Sequence, residues 1–252
     1  MSVSIKLGNF LYKNAFGLYK PMYTYFKNKQ DDFEISLLRK YIKKGDTVID
    51  IGANIGYYAA MLSNCVGENG KVHCFEPDVS NFTHLEKATK AYKNIIINNK
   101  AVGPKTEKLK IYTSKELNVD HRTYQPEDYD KVIEIDAVSI DDYFAVAGPV
   151  EVQKVDFIKM DIQGFEMQAI QGMTKTLSNN KNIKLISEFW PYGLKKAGSS
   201  LTDYFNFIQS LHFNCFLLEK NSLTILTLDK VKSLETLGKE LYFNIFATRD
   251  NV

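Results

Sequence analysis

The chain has 252 residues, 44% of them apolar and 25% charged, with a formal net charge of +2. That is ordinary globular composition with ample material for a buried core, and so small a charge names no partner, so no nucleic acid is expected. No apolar run reaches the roughly 18 residues of a membrane span, and the N-terminus MSVSIKLGNFLYKNAFGLYK has neither the apolar core nor the cleavage site of a secretory signal.

Residues 1–30 differ from the rest. They carry Lys6, Lys13, Lys20, Lys27 and Lys29 and no acid, interleaved with Phe10, Tyr12, Phe16, Tyr19, Tyr23, Tyr25 and Phe26. Four of these lysines are spaced by sevens, which would set them on one helix face. Gly8, Gly17 and Pro21 argue against one unbroken helix and predict two short ones with a bend near Lys20. The extension reads as a lid, a cap on the sheet edge, a homodimer arm or a membrane-surface helix, with its aromatics inward and its lysines outward.

Residues 31–252 read as one α/β domain. DDFEISLLRKYIKKG is an amphipathic helix with acids at its start and lysines and Gly45 at its end. DTVIDIG is a strand, residues 56–66 a helix, KVHCFEP a strand stopped by Pro77, residues 79–92 a helix opened by Asp78 or Ser80, and NIIINN a third strand. Between 100 and 150, EKLKIY and KVIEIDAV look like antiparallel or edge strands and SIDDYF a short helix. KVDFIKMDI and NIKLISEFW are buried strands on either side of the helix FEMQAIQGM. LTDYFNFIQSL is a helix, and FNCFLLE, SLTILTL and LYFNIFATR close the chain as strands joined by short turns, at least one of them antiparallel. Near-continuous apolar strands alternating with helices predict a parallel sheet covered on both faces. Cys65, Cys74 and Cys215 are odd in number and widely spaced, as free core thiols of a reducing cytoplasm would be. No C-x-x-C or H-x-x-x-H pairing offers a zinc site.

The stretch VIDIGANIGYYAA, residues 48–60, hands a strand over to a helix through two glycines. In an open α/β sheet, ligands bind at the carboxyl ends of strands. Gly52 and Gly56 would let the chain turn tightly and a ligand pack on bare backbone. The dinucleotide fingerprint is altered here: Asn54 replaces its second glycine, and Asp50 places a carboxylate where a pyrophosphate would be repelled and a cation attracted. Glu76 ends the next strand, where it would accept hydrogen bonds from two ribose hydroxyls. A ligand with a ribose, a positive group and no phosphate fits both acids, and S-adenosylmethionine is such a ligand.

VIDIGANIGYYA, CFEPD, SIDDYF, FIKMDIQGFEMQAIQG and ISEFWP, in this order over about residues 46–190, resemble the FkbM family of S-adenosylmethionine-dependent methyltransferases. The resemblance implies the class I fold: a Rossmann-like, mostly parallel seven-stranded sheet with helices on both faces and an antiparallel strand near the C-terminus. It implies that Asp50, Gly52, Asn54 and Gly56 form the cofactor turn, adjoined by Tyr57. Glu76, next to Pro77, would bind the ribose, Asn99 and Ala101 would flank the adenine, and Asp161 would close the site. Gln163 stands where the family often has Glu, and residues 1–30 fall outside the pattern.

Methyl transfer needs an in-line arrangement, and a hydroxyl acceptor also needs a base within hydrogen-bond reach. The candidates are Asp161, Glu188 and His121. His121 lies in the polar loop NVDHRTYQPED; His73 is in a strand and His84 and His212 are on helices, so those three read as structural. Asp161 has an alternative as a helix N-cap, and Glu166 reads as a first-turn helix acid or a holder of the loop. Asp161 and Glu188 could also share a divalent metal, although no metal set is assigned. Trp190 and Tyr192 could form a substrate wall. The acceptor is a small molecule, a glycan or a peptide: a hydroxyl oxygen in the first reading, a peptide or amide nitrogen in the second. The third reading is a non-catalytic cofactor-binding subunit.

Overall fold

The computed structural model describes residues 3–113, 129–145 and 154–250. It begins with helices α1 (Val3–Asn14), α2 (Phe16–Gln30) and α3 (Asp32–Tyr41). Then follow β1 (Thr47–Ile51), α4 (Tyr57–Val66), β2 (Lys71–Phe75), α5 (Val79–Thr89), β3 (Ile95–Asn98), β4 (Ala101–Val102), β5 (Glu107–Tyr112), β6 (Val132–Val138) and α6 (Ile140–Ala145). The second half holds β7 (Phe157–Met160), α7 (Glu166–Gln171), α8 (Thr174–Asn179), β8 (Lys184–Phe189), α9 (Pro191–Lys196), α10 (Leu201–Ser210), β9 (Asn214–Glu219), β10 (Ser222–Ile225), α11 (Leu228–Glu235) and β11 (Phe243–Thr248). Among the described residues no helix is long and apolar enough to cross a membrane.

The main sheet runs β10-β9-β11-β8-β7-β1-β2-β3. β3, β2, β1, β7 and β8 pair in parallel, and β11 runs antiparallel to both β8 and β9. This is the expected mostly parallel sheet, and the hairpin strand β10 adds an eighth member at the edge. The strands EKLKIY and KVIEIDAV form, with β4, a separate three-stranded sheet in which β5 and β6 are antiparallel. Alternate strand residues feed two cores, so Val48, Phe157, Ile186 and Phe246 pack with α3 and α4 on one face. Ile49, Ile158, Leu185 and Ile245 pack on the other, with residues of α7 and α10. Each such fully buried side chain is worth about 1.5–3 kcal/mol, which is why register is unambiguous.

Three expectations are corrected. The bend in residues 1–30 falls at Ala15 (φ −147°, ψ 56°), not near Lys20, and α2 continues through Pro21. Pro21 lacks only its own amide, while Tyr19 and Tyr23, stacked 5.5 Å apart, hold the helix to the body on both sides of it. SLTILTL does not lead by a short turn into the last strand: it stops at Ile225, and α11 follows, capped by Thr227, whose side chain accepts from the Lys230 amide. His212 sits at φ 65° in the turn after α10, not on a helix. The three cysteines are free as expected, Cys74 and Cys215 buried and Cys65 half-buried.

Candidate active site

β1 has β2 on one side and β7 on the other, so the chain leaves it in opposite directions and opens a crevice beyond its carboxyl end. The turn there has left-handed backbone at Gly52 (φ 83°), Asn54 (φ 50°) and Gly56 (φ 82°). A Cβ on Gly52 would lie 2.0 Å from the Asp161 carbonyl oxygen, and one on Gly56 3.0 Å from Leu85 Cδ1. The close approach that excludes side chains is therefore made by the protein itself, not by a ligand. It draws the ends of β1 and β7 together and seats α4 on α5. The Gly52 and Ala53 amides donate to the Phe75 carbonyl, each at 3.0 Å.

A cavity of about 510 Å³ occupies the crevice. Gly52, Asn54, Tyr57, Glu76, Pro77, Ala101, Asp161 and Glu188 line it, as does Trp190. Asp50, Gly56 and Asn99 do not. Asp50 is fully buried behind the turn, and Asn99 supports the wall from outside, its Nδ2 donating to the carbonyls of Glu76 (2.9 Å) and Pro77 (3.1 Å). Tyr192 packs 5.6 Å from Trp190 without joining the wall. His121 lies outside the described residues. Among the described residues no group of three or more His, Cys, Asp and Glu could hold a metal ion.

Glu76 is pinned by two backbone amides: Asn54 donates to Oε2 at 2.8 Å and Asp78 to Oε1 at 2.9 Å. Across the cavity, Gln163 Nε2 donates to Asp161 Oδ1 (3.2 Å) and to Glu188 Oε2 (3.5 Å), linking the two candidate acids. Gln163 sits at φ 58°, a conformation that costs a non-glycine residue about 1–3 kcal/mol. Glu166, buried, accepts from the Ile162 amide at 2.9 Å and so holds this loop as one of its two expected roles.

Beneath lies a charge network absent from the sequence reading. Register pairs Asp50 with Lys159, so both point to the α3–α4 face. Lys159 is buried, its ammonium 3.7 Å from Asp161 Oδ2 and 4.6 Å from the centre of the Tyr58 ring. Tyr58 donates to Asp31 (2.7 Å), which also pairs with Lys27 (2.8 Å). Lys27 thus turns inward, against expectation, and with Tyr23 and Gln30 brings the N-terminal extension into the cavity wall. Lys239 and Tyr242 line it from the loop before β11, and Tyr242 accepts from Gln30 Nε2 at 2.8 Å. A lone lysine in an otherwise apolar strand, FIKM, was the signal that could have revealed Lys159.

Burial, with the neighbouring acids Asp161 and Glu166, pushes Glu188 well above the ordinary glutamate value. Burial pushes Asp161 the same way, but the ammonium groups of Lys159 and Lys27 outweigh it and hold Asp161 below the ordinary value, ionised. The two carboxyls are thus shifted in opposite directions, an arrangement suited to proton handling.

Burial also raises Asp50 to about 6 and Glu34 and Glu76 to about 7. Such carboxyls bind a proton more tightly folded than unfolded. Their contribution to stability is full below their unfolded values near about pH 4 and is lost as pH rises through about 6 to 7. The lowered Asp161 acts oppositely, but its window lies below about pH 4. Without ligand, the thermal midpoint is expected to fall from about pH 5 to about pH 8. A midpoint that rises over this range in calorimetry contradicts the upward shift of these buried carboxyls.

The methyltransferase FkbM domain model matches residues 50–215 of the chain. Among curated proteins none matches. Solved structures to which the chain is similar include a SAM-dependent methyltransferase from Aquifex aeolicus, 15% identical over 88% of this chain and 91% of that one, with a TM-score of 0.47. A SAM-dependent O-methyltransferase from Thermotoga maritima is 15% identical over 89% of this chain and 66% of that one, with a TM-score of 0.49. Fibrillarin from Aeropyrum pernix, in complex with natively bound S-adenosyl-L-methionine, is 12% identical over 86% and 74%, with a TM-score of 0.44.

Proposed function

Because the chain belongs to the FkbM methyltransferase family and uses S-adenosylmethionine as methyl donor, we propose that it methylates a hydroxyl oxygen of a sugar or another small-molecule acceptor. The observation that carries this reading is the ionised Asp161 facing the cavity, since a hydroxyl nucleophile must give up its proton.

The residues present fit the donor. Asp50 is a buried carboxylate with no hydrogen-bond partner among the described residues, set directly behind the turn and able to favour a cation there. Glu76 is fixed by two amides yet keeps lone pairs for ribose hydroxyls. Ala101 and Val102 offer an apolar flank for adenine. Bound there, S-adenosylmethionine supplies an electrophilic methyl group on a sulfonium centre. The chain supplies orientation: the Gly52–Asn54 turn and Glu76 hold the donor, and Asp161 accepts the acceptor's proton. Lys159 keeps Asp161 ionised, and Gln163, bonded to both, spaces it from Glu188. Residues 1–30 act as an extension on the 31–252 domain, and its Tyr23, Lys27 and Gln30, with Trp190 and Tyr242, wall the acceptor side. These walls come largely from outside the matched residues 50–215 and set acceptor choice.

The test is titration calorimetry followed by an acceptor screen. S-adenosylhomocysteine is expected to bind and NAD not to. Mass spectrometry of products is expected to locate the methyl on oxygen. Methyl found only on nitrogen would transfer the reading to a peptide or amide acceptor.

A further inference from the structure

α2, which lines the site through Tyr23, Lys27 and Gln30, and α1 before it also carry much of the molecule's apolar exposure. α1 and α2 pack Tyr12 and Tyr19 against Ile55. They nevertheless turn Leu7 (52% exposed), Phe10 (60%), Leu18 (69%), Tyr25 (66%) and Phe26 (61%) to solvent. Leu237, Leu241 and Tyr242 are exposed in the loop before β11, which is tied to α2 by the Gln30–Tyr242 hydrogen bond. Isolated exposed apolar residues are ordinary, but eight of the thirteen large ones among the described residues lie on these adjoining segments. Such a grouping marks an interaction surface.

Charge decides the partner. Lys13, Lys20 and Lys29 are exposed on the same helices, and the sequence has no acid before Asp31, which is buried and paired with Lys27. A second copy docked about a two-fold axis would press these acid-free helices against each other, lysine toward lysine, and the adjoining loop offers one exposed acid, Glu240, itself beside Lys239. Nucleic acid offers phosphates but no apolar phase for Leu7 and Leu18. An anionic bilayer offers both, phosphates at the level of the lysines and hydrocarbon for the leucines and aromatics. We propose that α1 and α2, with the loop 236–242, dock the protein peripherally on an anionic lipid surface. Gln30, Lys239 and Tyr242, the exposed rim of the cavity, belong to the same segments, so the site opens beside the bilayer.

The test is sedimentation of the full chain with vesicles of phosphatidylcholine alone, or of phosphatidylcholine and phosphatidylglycerol in equal parts. Retention is expected on the anionic vesicles only, with release by salt. The variant Leu18→Glu/Phe26→Glu is expected to partition at least about tenfold more weakly. Lys13→Gln/Lys20→Gln/Lys29→Gln is expected to lose about a hundredfold, roughly fivefold per lysine. A melting curve like the parent's shows that these surface variants are folded and does not depend on binding of the methyl donor. Equal retention on both vesicle types, or none on either, overturns the proposal. A dimer that dissociates in the Leu18→Glu/Phe26→Glu variant, without vesicle binding, overturns it in favour of a second copy.

Discussion

Asp161→Asn is expected to fold and to bind S-adenosylhomocysteine within a few-fold of the parent, while losing about a hundredfold or more in kcat, the usual contribution of a positioned base. The substitution keeps the shape and the hydrogen bond from Gln163, and removes only the charge that Lys159 and Lys27 sustain. Full activity with the true acceptor would remove Asp161 from the catalytic role. A companion variant separates charge from position. In Lys159→Met the carboxylate stays in place but loses its nearest ammonium, 3.7 Å away. The acid limb of the kcat/KM profile should then move to higher pH by about one to three pH units. The same change leaves Asp50 buried opposite an uncharged side chain, so the melting temperature should fall as well. An unshifted acid limb would mean that Asp161 does not set it.

Glu76→Ala is expected to weaken S-adenosylhomocysteine binding roughly ten- to a hundredfold, the value of a charged hydrogen bond of about 1.5–3 kcal/mol. Glu76 also anchors the Asn54 and Asp78 amides, so a purely structural role would lower stability too. A cycle resolves the two. The 2′-deoxy form of S-adenosylhomocysteine should bind the parent more weakly than the natural ligand does, and the variant equally with it, if Glu76 meets the ribose. Additive losses would assign Glu76 to the turn alone. Asp50→Ala is expected to act differently, because Asp50 stands behind the wall: it should lower affinity through the turn and through Lys159 rather than through contact.

By itself, the sequence determined the features that local chemistry enforces. The largely apolar runs of β1, β2, β7 and β8 pointed to buried strands, and their alternation with helices to a covered parallel sheet. Asp50-x-Gly52-x-Asn54-x-Gly56 specified a left-handed turn at a strand end, because only glycine and asparagine accept those angles cheaply. That turn and Glu76 located the cavity.

What the tertiary structure alone decided are the features that depend on distant segments meeting. No local pattern says that Gly52 faces the Asp161 carbonyl, since 109 residues of chain separate them. Nor could periodicity show that Lys27 turns inward, because heptad spacing defines a face without saying what it faces. Lys159 looked like a lysine in a strand; only register across the sheet placed it opposite Asp50 and beside Asp161, where an otherwise costly buried ammonium is compensated. The helix at α11, masked by the β-like run SLTILTL, formed because Thr227 caps it and Val231 and Leu234 bury against the core. Composition and spacing fix what a residue can do, and packing chooses its partners, because a charge or an apolar face is satisfied only by whatever the fold brings within a few ångströms of it.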